Sequence, residues 1–265
     1  MYCKGRSAMN RTTALPAAAA CVIGAAGAVL RLAHTRTCYE ESGFLLRHQP
    51  LTGLLIAALL CSILLGVIIG AVMVIRGRKT SGIDAPDTSD RGLPAALYAG
   101  SALLAAAGSV WQFLSSSPGT ILLTASSVLG LAAAAGAAAL GHRSSSRRAL
   151  PWSCAAVGLF YCLELILHFA ANTLNPVVLS FGPECLALGA VSLFAFCLGT
   201  ARGRPRGFGT VCFGLCAVGL CLMSLSGPQI TWADRLILMA GALFALHTVL
   251  RLPRQGGADV VSPDT

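Results

Sequence analysis

Long, uninterrupted apolar runs dominate the pattern along the chain, and eight of them approach the about 20 residues that a helix needs to cross a bilayer. They do not alternate apolar and polar positions as barrel strands do. We therefore predict an all-α polytopic membrane bundle of about eight transmembrane helices arranged as four antiparallel hairpins. The predicted spans are 14–33, 51–75, 93–114, 119–141, 149–171, 176–200, 208–226 and 232–250, within one domain (1–252) followed by a disordered cytoplasmic tail (253–265).

The first run leaves an alternative open. It is rich in Ala and Gly and follows Lys4, Arg6 and Arg11, a pattern shared by secretory signal peptides. Cleavage of that segment would leave seven spans.

Composition supports a membrane protein. Hydrophobic residues make up 55% of the 265 residues and charged residues 11%, whereas soluble domains carry roughly 25% charged residues. The same figures exclude a disordered chain, which combines low hydrophobicity with high charge.

The basic residues predict the orientation, because cytoplasmic loops are enriched in Lys and Arg. Four of the 19 lie on one side in the predicted topology, namely Arg31, Arg36, Arg47 and Arg235. The other fifteen precede the first span, follow the last span or lie in the loops after the second, fourth and sixth spans. We therefore predict a multi-pass protein of the cell membrane with both termini cytoplasmic. The net charge of +9 comes from short basic clusters at the helix ends, where they are expected to attract anionic lipid headgroups. Nucleic acid is not a predicted partner.

Small residues predict close helix packing. Gly66 and Gly70 have the small-xxx-small spacing that lets helix backbones approach. Packing inside the bundle and homodimerisation through these two glycines are both open.

Sequence motifs predict no metal, cofactor or enzymatic reaction. The eleven cysteines include no Cys-x-x-Cys pair. The chain also lacks a Gly-x-Ser-x-Gly, a His-Glu-x-x-His and a phosphate-binding glycine loop.

The candidate site is polar and lies within the fifth and sixth spans. Asp234 sits at the outer start of the last span, and Glu164 and Glu184 are the acids that fall well inside predicted spans. A charged residue there costs roughly 2.5–3.5 kcal/mol on insertion scales. Helical spacing places several polar residues on the same face as Glu164. These are Tyr161, His168, Asn172 and Asn175.

The two acids are predicted to lie at the same depth in the membrane. Each lies ten residues from the turn near residue 174, so both are predicted about 15 Å from it, near the bilayer midplane. Gly182-Pro183 predicts a broken helix beside Glu184, as transporters use at binding sites. Two close carboxyls in a low dielectric do not both ionise, so the pair would share a proton or bind a cation. His168 is a candidate proton relay.

A structural role is the alternative. Glu164 and His168 could pair with each other, and Glu184 could sit in the first turn of a helix that begins at Pro183. Gln112 and His247 are lone polar residues, for which we predict interhelical hydrogen bonds.

Three stretches of the chain resemble a group of bacterial membrane proteins. The stretches 39–50, 172–184 and Arg202-Gly-Arg-Pro-Arg206 resemble uncharacterised multi-span inner-membrane proteins of Clostridia-type gut bacteria. That group implies a bacterial inner membrane and no assigned activity.

Three functions are compatible with these features. The favoured one is a small transporter or membrane substrate-binding component that uses the intramembrane acids. The second is a structural or accessory subunit of a membrane complex. An intramembrane enzyme ranks last.

Overall fold

Eight α-helices make up almost all of the chain that the structure, a computed structural model, describes: residues 11–37, 50–75, 93–115, 121–141, 149–174, 178–200, 208–227 and 230–250. In chain order they are α1 (Arg11–Thr37), α2 (Pro50–Ile75), α3 (Leu93–Ser115), α4 (Ile121–Gly141), α5 (Ala149–Asn172), α6 (Val178–Thr200), α7 (Phe208–Ser224) and α8 (Trp232–Leu250). The predicted all-α fold is confirmed, and the predicted tail, 253–265, lies outside the described residues.

Seven of these helices are long and apolar enough to cross a membrane, so the chain is a multi-pass membrane protein. The eighth, α7, is apolar but has only 17 residues. Predicted and observed ends agree to within four residues. The largest difference is at α1, where the polar ends of the helix extend past the apolar run that defined the prediction.

Six helices form a closed ring. Each of α3 to α8 packs against the next, and α8 packs back against α3. The α1–α2 hairpin lies against α7, and α1 also contacts α8. We call the end of the bundle at which α1 meets α2, α3 meets α4, α5 meets α6 and α7 meets α8 the hairpin end.

The short α7 is the most enclosed helix, with 13 of its 17 residues buried. A helix surrounded by protein does not have to match the thickness of the bilayer, because its ends need not reach lipid headgroups. In α2, by contrast, a continuous row of large apolar side chains faces outward, as a lipid-facing helix requires. Its members include Leu54, Leu60, Leu64 and Ile68.

Glycines allow α1 and α2 to approach α7 closely. A Cβ on Gly66 would lie 2.6 Å from the carbonyl oxygen of Cys212, and one on Gly70 would lie 2.8 Å from the ring of Phe208. A Cβ on Gly24 would lie 2.7 Å from the carbonyl oxygen of Gly219. The close approach predicted for Gly66 and Gly70 is therefore made within the bundle.

Candidate functional site

A small cavity lies near the hairpin end of the ring, between α5, α6 and α8. It has room for about one water molecule. Its polar lining residues are Glu164, His168, Glu184 and Asp234, and its apolar lining residues are Leu188, Ile237 and Leu238. The two acids singled out in the sequence therefore face the same cavity from adjacent helices.

Glu184 forms an ion pair with Arg31 of α1. One guanidinium nitrogen, Nη2, lies 2.6 Å from Oε1 and 2.8 Å from Oε2 of the carboxylate. Arg31 is 0% exposed and Glu184 is 2% exposed. An isolated charge in such a place would be prohibitive, so each residue supplies the counter-charge that makes the other tolerable.

The packing of α1 on α7 delivers Arg31 to this position. Gly27 lies against the side chain of Met223, one residue before the end of α7. Arg31 comes one turn later in α1, so its side chain passes the end of the short helix and reaches α6. The partial negative charge at the C-terminus of α7 also favours a cation there.

Arg31 also bonds to the backbone of α6, one residue from the carbonyl that Pro183 leaves without its helical donor. Proline has no N–H, so the carbonyl oxygen of Leu179, four residues earlier, loses a backbone hydrogen bond. Arg31 Nη2 donates to the carbonyl oxygen of Ser180 at 2.7 Å. Because α6 begins at Val178 and continues through Pro183, the alternative that the helix begins at Pro183 is wrong.

Glu164 is engaged in a different way. The hydroxyl of Ser126 in α4 donates to its Oε1, and Nε2 of Gln112 in α3 donates to its Oε2 at 3.3 Å. Glu164 is 4% exposed, and no ion pair involves it among the described residues. Its carboxyl group is thus held by neutral donors in the interior of the bundle.

The other residues on the predicted face of α5 have separate roles. Tyr161 donates from its hydroxyl to the carbonyl oxygen of Ile237 at 2.8 Å, which ties α5 to α8. Asn172 donates to the carbonyl oxygen of His168 at 2.8 Å, within its own helix, and does not line the cavity. Asn175 lies outside the described residues.

His168 faces the cavity without the partner that the structural alternative gave it. Its Nε2 atom is buried and has no hydrogen-bond partner among the described residues. Since Ser126 and Gln112 hold Glu164, the alternative in which Glu164 and His168 pair with each other is wrong.

Asp234 lies in the first turn of α8 and also lines the cavity. Its carboxylate accepts hydrogen bonds from the backbone N–H of Thr231 at 2.9 Å and from the hydroxyl of Thr231 at 2.8 Å. Thr231 in turn accepts from the N–H of Asp234, which completes a capping box. The preceding turn comes close to the ion pair, because a Cβ on Gly227 would clash with Glu184 Oε1.

The two acids lie at similar depth, as predicted. Glu184 lies six residues after the start of α6 and Glu164 eight residues before the end of α5, or about 9 and 12 Å along the helices. Both helices are longer than 30 Å at 1.5 Å per residue. The two acids therefore lie in the half of the bundle near the hairpin end, and their position near the bilayer midplane stays a prediction.

Sequence reasoning missed the role of Arg31, which it counted only among the basic residues of the outer side. The structure places Arg31 inside α1, fully buried. Its position inside an apolar run was the available signal, because a charge there needs a partner. The prediction for Gln112 is confirmed by its bond to Glu164, whereas His247 packs edge-on against the ring of Tyr98.

Comparison of the chain with protein-family profiles, with curated proteins and with solved structures gives no match.

Proposed function

We propose that the protein is a small membrane transporter in which Glu164 takes up and releases a coupling proton. One observation carries the proposal: a buried carboxyl group, held by the neutral donors Ser126 and Gln112, faces a cavity with room for about one water molecule. A carboxyl group in a dry interior without a cation changes its charge by exchanging a proton.

His168 is the proposed next carrier of that proton. It lies one turn from Glu164 on the same side of α5, nearer the hairpin end, and it lines the cavity. Its Nε2 has no hydrogen-bond partner among the described residues. In the transfer, the carboxyl O–H bond of Glu164 breaks and Nε2 accepts the proton, directly or through water. Glu164 becomes a carboxylate and His168 an imidazolium, so charge is conserved.

We also propose that the hairpin end faces outward and the termini face the cytoplasm of a bacterial cell. The burial of Arg31 inside α1 supports this orientation, because it leaves three basic residues on the hairpin side against fifteen on the other. A proton entering from outside would then meet the cavity in the half of the bundle nearer to it.

Infrared spectroscopy of the protein in lipid nanodiscs tests the proposal without a known substrate. We expect a protonated-carboxyl stretching band that changes with pH between 5 and 8, disappears in Glu164→Gln and persists in the matched variant Glu184→Gln. An unchanged band in Glu164→Gln would overturn the assignment of the proton to Glu164.

Transport is tested separately, in proteoliposomes that contain a pH-sensitive dye. Pools of small molecules are added outside, and proton movement that requires both a solute and Glu164 is the expected result. Proton binding without solute-driven proton movement would instead favour an accessory subunit of a larger membrane complex.

A further inference from the structure

We infer that Arg31 determines which of the two cavity acids exchanges the proton, by holding Glu184 in its charged form. The inference rests on the proposed function, since it concerns which acid exchanges the coupling proton. Arg31 does not itself line the cavity. Arg31 is thus a positioning residue, which acts on the site through Glu184.

The contacts of the ion pair leave little room for a proton on Glu184. Arg31 Nη2 lies within 2.8 Å of both carboxylate oxygens. Both oxygens therefore lie against a cation, and a proton on Glu184 would place its O–H beside the guanidinium. Protonation would also leave the guanidinium of Arg31 buried without a counter-charge, which is strongly unfavourable.

The charged groups around Glu184 point to the same assignment. From α1 it faces Arg31, from α5 Glu164 and His168, and from α8 Asp234. With Glu184 neutralised by Arg31, the remaining acids of the cavity are Glu164, which has neutral donors, and Asp234, which is partly exposed and capped by Thr231. Glu164 is the buried one whose charge no cation fixes.

Arg31 also fixes the position of the Glu184 carboxylate. Arg31 bonds to both the side chain of Glu184 and the backbone carbonyl of Ser180, so it fixes the carboxylate against α6. A carboxylate that cannot swing away keeps its place in the cavity wall while Glu164 exchanges its proton. Loss of Arg31 would therefore free Glu184 in both charge and position.

The test counts protonated carboxyl groups in nanodiscs by their infrared bands. Wild type is expected to show the Glu164 band alone among the cavity acids, and Arg31→Met is expected to show an additional band that disappears in Arg31→Met/Glu184→Gln. Arg31→Lys, which keeps the cation, is the control and should retain the wild-type pattern. A purely structural role for Arg31 would not produce a new band that depends on Glu184.

The outcomes separate this inference from the proposed function. Arg31→Met without a Glu184-dependent band overturns the inference but leaves the role of Glu164 intact. If Arg31→Met does not fold, wild type and Arg31→Met/Glu184→Gln, which removes both charges, still decide: identical protonated-carboxyl bands support the inference, and loss of a band in the double variant overturns it. A band that persists in Glu164→Gln contradicts the proposed function instead.

Discussion

The two carboxyl groups of the cavity have opposite surroundings although they lie at similar depth. Glu184 belongs to the α1–α6 side, where Arg31 neutralises it at 2.6 Å. Glu164 belongs to the α3–α5 side, where a hydroxyl and an amide hold it. Glu184 is therefore one half of a buried ion pair. Glu164 can gain or lose a proton without breaking an ion pair.

The comparison shows that an acid inside a span is not by itself a functional residue. The same insertion cost applies to Glu164 and to Glu184, but the chain offsets it by a counter-charge in one case and by neutral donors in the other. The identity of the partner therefore separates an acid that anchors helices from one that is available for proton exchange.

Breaking the ion pair has the largest expected effect. Arg31→Met leaves the buried Glu184 without its counter-charge, so its carboxyl group must take up a proton and loses its bonds to Arg31. We expect this to lower the free energy of unfolding by about 3–5 kcal/mol. Thermal or denaturant unfolding in mild detergent measures the change. Arg31→Met/Glu184→Gln, which removes both charges, should recover most of the loss.

The matched variant Glu164→Gln sharpens the comparison. Glutamine keeps an oxygen that can accept from Ser126 or Gln112 and removes no partner of a charge. We therefore expect a change within about 1 kcal/mol. A loss as large as that of Arg31→Met would show that Glu164 also has a charged partner, and the distinction between the two sides would fail.

The docking of α1 on α7 has the next largest expected effect. Gly24→Ala would place a methyl group 2.7 Å from the carbonyl oxygen of Gly219 and 2.9 Å from Cβ of Leu222. Overpacking of this kind costs about 1–3 kcal/mol, and it should also weaken the Arg31–Glu184 pair by displacing α1.

Gly53→Ala in α2 is the control for that substitution. A Cβ there meets no atom within 4 Å, so the added methyl group should leave stability unchanged or raise it slightly. Unfolding of the two variants side by side measures the difference. Equal stability of both variants would mean that α1 can shift on α7 without cost.

Much of the fold could be predicted from the sequence because bilayer thickness sets the length of an apolar run. The run 232–250 and the helix Trp232–Leu250 coincide, and the ends of α5 differ by one residue. Spacing along α5 likewise placed Glu164 and His168 on one side, and both line the cavity. These predictions depend only on periodicity within a single helix.

The partners of the acids could not be predicted in this way. Arg31 and Glu184 are 153 positions apart, and their contact depends on where α7 ends and on how closely Gly27 brings α1 to it. Ser126 gave no signal either, since serines are common in these spans. Rotation and lateral order of helices decide such contacts, and neither is encoded in the hydrophobic pattern of one segment.

The smallest expected effect concerns the neutral donors of Glu164. Ser126→Ala removes the hydroxyl that binds Oε1, and loss of one such bond to a buried group costs about 1 kcal/mol. Its neighbour Ser127 is the control, because its hydroxyl donates to the carbonyl oxygen of Leu123 in its own helix. Ser127→Ala should therefore be nearly neutral. The infrared band of Glu164 should shift in Ser126→Ala alone, since the frequency of a carboxyl group responds to the hydrogen bonds it makes; a shift in both variants, or in neither, would contradict the assignment of Ser126 as its donor.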